Sequence, residues 1–164
     1  MCISQYNPHY NSTLRRYERA LLQRNKLLKS PSHSRDEVFA WNVSLSNYGA
    51  EIIAARQELA RYIDAQITDV YQTVAPTKDT ISVQYSHHAL TTPQHLLTEL
   101  EQAYERDKVT GSTSVGPHRH DLLLFFNNRP ASEIGSRGEL RTITLALKVI
   151  AASHIIEKIE LHPV

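Results

Sequence analysis

The chain has 164 residues, 41% of them apolar and 21% charged, with a formal net charge of +1. This is enough for one globular domain, or for a domain with a helical arm, and the near-neutral charge argues neither for nor against a nucleic-acid partner. The single cysteine, Cys2, excludes an internal disulfide framework and fits a reducing, cytoplasmic compartment; no apolar run is long enough to cross a bilayer, and the first ten residues lack the basic and apolar regions of a signal peptide.

Tyr10, Leu14, Tyr17, Leu21 and Leu28 recur at spacings of three and four, with Arg24 interrupting, which predicts a helix to Lys29 with one apolar stripe. Asn11 or Ser12 is the expected cap. Ser30 to Ser34 is a polar loop by composition. A longer helix follows, from about Asp36 to about Thr73, with Val38, Trp41, Leu45, Tyr48, Ile52, Ala55, Leu59 and Tyr62 on its seam and Ile63, Ile67 and Val70 continuing it. Two such helices joined by a short loop read as an antiparallel hairpin. Gly49 inside the second signals close packing, and Trp41 is expected in the core.

Beyond Pro76, Ile81, Val83 and Tyr85 alternate with polar residues and predict a strand with one buried face. Thr92-Pro93 opens a helix that should stop near Asp107. The run from Leu122 to Phe126 predicts a strand buried on both faces. Asn127-Asn128 suits a tight turn, with Arg129 to Ser132 as the returning strand. Gly135 to Gly138 is a second turn. The last helix carries Leu140, Ile143, Leu147, Ile150, Ala151 and Ile155 inside, and Pro163-Val164 resembles the start of a further strand. The order predicts an α+β or α/β fold, mostly helical, with a hairpin over 1–76 and a strand and helix segment over 77–164.

The residues suited to chemistry cluster near the last helix. Ser136 and Gly138 stand at its mouth, where free N–H groups and the helix dipole favour a phosphate. Ser136 with Glu139 is equally a capping box, which needs no ligand. Arg15, Arg16, Arg19, Arg24 and Lys26 form a local basic cluster, suited either to DNA phosphates or to a solvated helix face. His118 and His120, with His87 and His88 upstream, invite a metal reading, but no cysteine or well-placed carboxylate completes a ligand set. Cys2 has no orienting histidine and is a poor nucleophile.

Thr113-Ser114-Val115-Gly116-Pro117-His118-Arg119-His120-Asp121-Leu122 resembles the Thr-x-x-Gly-Pro-His-Arg-Asp-Asp-Leu stretch of the RecF family, ABC-type ATPases related to SMC proteins. It differs only in His120. Ser136, Gly138, Arg141 and Thr142 match the family's Ser-x-Gly-Gln-x-Arg-Thr signature, with Glu139 in place of Gln. Near the start, Tyr17 with Leu21 to Asn25 and Leu27-Leu28-Lys29 is similar to the family's Tyr…Leu-x-Gln-Arg-Asn-x-Leu-Leu-Lys helix. None of the five glycines opens a P-loop, and no acidic Walker B strand follows the signature helix, so the chain reads as a fragment of an ABC-ATPase lobe.

The resemblance implies a role in DNA replication, recombination and repair of DNA damage, including the SOS response. It implies ATP and Mg as cofactors, with Ser136, Arg137, Gly138 and Glu139 reaching in trans to a nucleotide held by another subunit, and Glu139 turned back to cap its own helix. Gly116, Pro117, His118, Arg119, Asp121 and Arg141 are family-motif positions. It implies single-stranded or gapped DNA, a self-dimer, RecO and RecR as partners, and no catalytic residue or activity in the chain alone. The competing readings are a non-enzymatic helical protein-interaction module and a metal-dependent hydrolase built on the histidines.

Overall fold

The structure is a computed structural model and describes residues 3–87 and 91–161, with the backbone alone at 134, 160 and 161. Cys2, His88 and the Pro163-Val164 pair lie outside the described residues. In chain order the elements are α1 (Ile3–Tyr6), α2 (Pro8–Lys29), α3 (Arg35–Val74), β1 (Ile81–Tyr85), α4 (Pro93–Gln102), α5 (Tyr104–Thr110), β2 (Leu122–Phe126), β3 (Arg129–Pro130), α6 (Ala131–Ile134) and α7 (Arg137–Leu161), with a 3₁₀ turn at Pro117–Arg119. The fold is α+β and mostly helical. Two compact units share it, one built from residues 8–55 and 89–120, the other from 1–7, 56–88 and 121–164. They cut across the 1–76 and 77–164 segments.

In the first unit, α2 and the first half of α3 form the antiparallel hairpin. Thr13 donates to Glu51 and Arg24 to Asn42, so the sum of partnered numbers stays nearly constant. Helix α2 starts at Pro8, not at Asn11 or Ser12, because proline suits a first helical position, where no N–H is needed. Helix α3 starts with a capping box, Ser34 N–H donating to Glu37 and Glu37 N–H to Ser34 Oγ. The buried face of α2 is Tyr10, Thr13, Tyr17, Ala20, Arg24 and Leu28. Arg24 therefore sits within the seam. Trp41 is only half-buried and Asn42 takes the inner position. A Cβ on Gly49 would stand 2.6 Å from a Leu96 methyl and 3.4 Å from Tyr17 and Pro117, which explains the glycine. Thr92 caps α4 through the His95 N–H, and the helical stretch runs past Asp107 to Thr110. Gly111 stops it at φ 64°, a left-handed C-cap.

In the second unit, β1, β2 and β3 make an antiparallel sheet in that order, Ile81 opposite Phe126 and Tyr85 opposite Leu122. The outer edge of β1 is covered by α3. Thr68 Oγ1 both donates to the Ile81 carbonyl and accepts from its N–H, at 2.7 and 3.0 Å, and Asp64 accepts from Val83 N–H at 2.7 Å. These bonds block further strand addition. Strand β2 is not buried on both faces: Phe126 is buried, but Leu123 is 41% exposed. Antiparallel pairing lets one face stay open. The return strand is only two residues, because Pro130 has no N–H for the ladder and α6 begins at once. Helix α7 buries Ile143, Ala146, Ile150 and His154; Leu140, Leu147, Ala151 and Ile155 are half-buried. The His154 Nε2 meets the Tyr6 hydroxyl at 3.0 Å, fastening α1 to α7.

Asn127 and Asn128 have φ of 49° and 63° between the paired Phe126 and Arg129, a two-residue type I′ turn. Asn128→Val should lower unfolding free energy by about 1–2 kcal/mol, because a branched side chain resists positive φ. Asn128→Gly should leave it within about 0.5 kcal/mol, both read from urea denaturation.

Candidate functional site

Three features carry candidate chemistry, and each lies within one unit. The first is a buried polar network. Arg24 and Asp107 are both 0% exposed and pair at 2.8 Å. Arg24 also donates to Asn42 Oδ1 at 2.6 Å and Thr113 Oγ1 at 2.8 Å. Asp107 accepts from the Ser114 N–H and hydroxyl, and Asn25 accepts from the Thr113 N–H and hydroxyl at 2.8 and 2.7 Å. His118 meets the Tyr17 hydroxyl through Nδ1 and the Thr113 carbonyl through Nε2. Gly116 has φ 125°, and a Cβ there would collide with the Tyr17 hydroxyl. Both His118 nitrogens are thus engaged within the protein, and residues 117–119 form a turn, not the strand a two-histidine chelate needs. Among the described residues no group of three or more potential metal ligands converges.

This network corrects one candidate. Arg24 cannot reach DNA, since its guanidinium is wholly buried and committed. Arg15, Arg16, Arg19 and Lys26 are exposed, and Arg15, Arg19, Leu22, Lys26 and Lys29 fall on one face of α2. No ion pair holds any of these cations among the described residues.

The second feature is the start of α7. Ser136 N–H donates to Glu139 at 2.6 Å and Glu139 N–H donates to Ser136 Oγ at 3.3 Å, so the capping box forms and Glu139 does turn back onto its own helix. Ser136, Arg137, Gly138 and Arg141 are exposed. The two flanking glycines differ. A Cβ on Gly135 would stand 2.7 Å from the Ala131 carbonyl oxygen, whereas one on Gly138 would meet nothing nearer than Ser136 Oγ at 3.9 Å. Packing demands the first glycine and leaves the second unexplained. Arg141 lines an open groove of about 420 Å³ with Leu140, Thr144, Leu145 and Lys148.

The third is the end of the Gly-Pro-His-Arg stretch. Asp121 closes the β1–β2 pair: its N–H donates to Ser86 Oγ, its carbonyl accepts from Ser86 N–H, and its carboxylate accepts from Leu122 N–H.

Comparison with known proteins follows the same residues. No family model matches the sequence. The DNA replication and repair protein RecF of Azobacteroides pseudotrichonymphae is 35% identical over 161 residues, covering 96% of this chain and 43% of the relative. That of Clostridium beijerinckii is 34% identical, covering 97% and 44%. A solved structure of the recombination mediator protein RecF with ATP, from the RecFOR pathway, superposes with a TM-score of 0.87 at 25% identity, over 96% of this chain and 44% of that one. A second, with ATPrS, matches equally well. The fold is therefore that of an ABC-type ATPase lobe, α+β and mostly helical. Within that class the chain belongs to the RecF family, and it spans a little under half the length of the curated relatives it matches.

Removing one partner of the buried pair leaves an uncompensated charge. Asp107→Ala should cost about 3–5 kcal/mol, and Arg24→Lys should also be severely destabilising, because a lysine cannot reproduce the forked bonds; urea denaturation measures both. Burial, aided by the nearby Arg119 and opposed by the Thr113 carbonyl, holds the His118 imidazole below its ordinary value near 6.5. The unfolded chain then takes up the proton first as pH falls. The stability this histidine contributes is complete above about 6.5 and declines below it. Burial lowers His154 in the same direction. Melting temperature should fall on acidification through that window, and the fall should be shallower in His118→Gln.

Proposed function

We propose that the chain is the signature-bearing part of a RecF-type recombinational repair protein. It contributes half of an ATP site to a nucleotide held on the P-loop of a second subunit. The observation that carries this reading is Gly138. Glycine in a helix costs about 1 kcal/mol relative to alanine, no packing contact requires it, and it leaves open backbone beside an exposed serine. The comparison structure with ATP supports the same ligand.

The residues fit one end of the nucleotide. Ser136 can donate its hydroxyl to a phosphate oxygen, and the first-turn N–H groups at Arg137 and Gly138 point the positive end of the helix dipole outward. Glu139 keeps the helix capped and holds its carboxylate against the Ser136 N–H, so an arriving phosphate meets less repulsion than a free carboxylate would impose. Arg137 and Arg141 offer charge to the partner subunit. ATP with Mg would supply the phosphoryl group and the driving force for closing two subunits over it. Without a P-loop or Walker B acid, the chain alone is inactive in hydrolysis. Single-stranded or gapped DNA is the nucleic-acid partner, contacted through Arg15, Arg16, Arg19 and Lys26. RecO and RecR are the protein partners, and the compartment is the cytoplasm.

The test mixes this chain with a separate RecF-type piece carrying the P-loop and Walker B and measures ATP hydrolysis with gapped DNA. Wild type should restore hydrolysis, Ser136→Arg should lower it at least tenfold, and Glu139→Gln, which keeps the cap and removes the charge, should equal or exceed wild type. Equal activity in wild type and Ser136→Arg would reduce the signature to a helix cap. No restoration by a folded wild type would favour a helical interaction module.

A further inference from the structure

We propose that the loop Gly111–Ser114, with Arg106, Arg119 and Lys29, is a second phosphate-contacting surface that continues the basic face of α2 and takes the phosphodiester backbone of DNA. This inference rests on the DNA reading above and adds to it a set of residues from a different part of the chain.

Three cations converge on this loop. The stem of Lys29 lies against Gly111, its Cγ 3.0 Å from where a Cβ would stand. Arg119 donates to Ser112 Oγ at 2.9 Å and to the Thr113 carbonyl at 2.9 and 3.1 Å. Arg106 donates to Ser114 Oγ through Nε at 3.1 Å and through a terminal nitrogen. Every one of these acceptors is neutral. The guanidinium charges therefore remain uncompensated, while the nearest buried carboxylate, Asp107, is already neutralised by Arg24. Between Tyr104 and His120 the only other carboxylate is Glu105, against the exposed cations Arg106, Lys108 and Arg119.

The loop is also held rigid from below. Thr113 is bound by Asn25 and Arg24, and Ser114 by Asp107, so the serine hydroxyls and arginines stand on a fixed base. Preorganised charge of this kind binds a phosphate without an added ordering cost.

Its neighbour explains the ligand class. On α2 the exposed face carries Arg15, Arg19, Lys26 and Lys29, and Glu18 is that helix's only carboxylate. Arg15 to Lys29 spans roughly 21 Å of helix, along which one strand of a duplex presents about six phosphates. A single nucleotide matches one point of such a line; a nucleic-acid backbone matches all of it. Lys29 ends the α2 face and begins the loop cluster.

The test is the salt dependence of binding of this chain to a labelled gapped duplex of about 30 base pairs, since each phosphate contact on duplex DNA contributes about 0.9 to the slope of log K against log salt. Arg106→Gln/Arg119→Gln should flatten the slope by about 1.8, shrinking the affinity lost between roughly 50 and 200 mM salt by about twelvefold. Arg15→Gln/Arg19→Gln should flatten it by a similar amount, and Arg106→Lys/Arg119→Lys should keep the wild-type slope. Arg106→Gln alone touches only the Ser114 hydroxyl, so it guards against loss of fold and should flatten the slope by about 0.9. If the loop variants keep the wild-type slope while the α2 variant flattens it, the loop inference is wrong and the DNA reading stands. If the lysine pair behaves like the glutamine pair, the arginines only brace the loop and the inference fails. If the wild-type chain shows no salt-dependent binding, the DNA reading and this inference fall together.

Discussion

An arginine and an aspartate wholly removed from water set the terms for the unit built on the hairpin. Each charge taken into the interior costs several kcal/mol, recovered only when partners and hydrogen bonds are complete. Arg24 and Asp107 meet that condition through Asn42, Thr113, Ser114 and Asn25. Arg24 comes from α2, Asp107 from α5 and Thr113 from the loop beyond Gly111, so the hairpin and the later segment fit together in one register only. Gly49 and Gly116 mark where that fit leaves no space for a side chain.

Two of the three sequence stretches that carry the RecF likeness, the one on α2 and the Gly-Pro-His-Arg one, are thereby explained as parts of one object. Tyr17, Arg24 and Asn25 on α2 contact His118, Asp107 and Thr113 respectively. Each pair is held by buried hydrogen bonding, in which loss of either member leaves the other unsatisfied. Most of the Gly-Pro-His-Arg stretch is accordingly structural, and Arg119 is its cation turned outward.

The unit that holds the sheet uses different means. Its three short strands would be marginal alone, and α3 completes the outer edge of β1 with Thr68 and Asp64 while Tyr71 packs edge-on against Phe126. That support places α6, the Gly135 bend and the start of α7. The mouth of α7 then presents Ser136 and Gly138 outward, with Glu139 folded back as a cap.

Much of this was legible in the residues. Apolar periodicity located α2, α3, α4 and α7, alternation located β1, and the Asn-Asn pair located the hairpin turn, because each depends on contacts a few residues apart. The Ser136–Glu139 cap was legible for the same reason. Periodicity could not show that Arg24 is core and Arg15 is surface, that Trp41 yields the inner position to Asn42, or that β2 leaves one face open. It could not distinguish Gly135, which packing requires, from Gly138, which it does not. Those outcomes are settled by partners tens of residues distant, where the cost of burying a charge or a Cβ depends on what the fold brings opposite it.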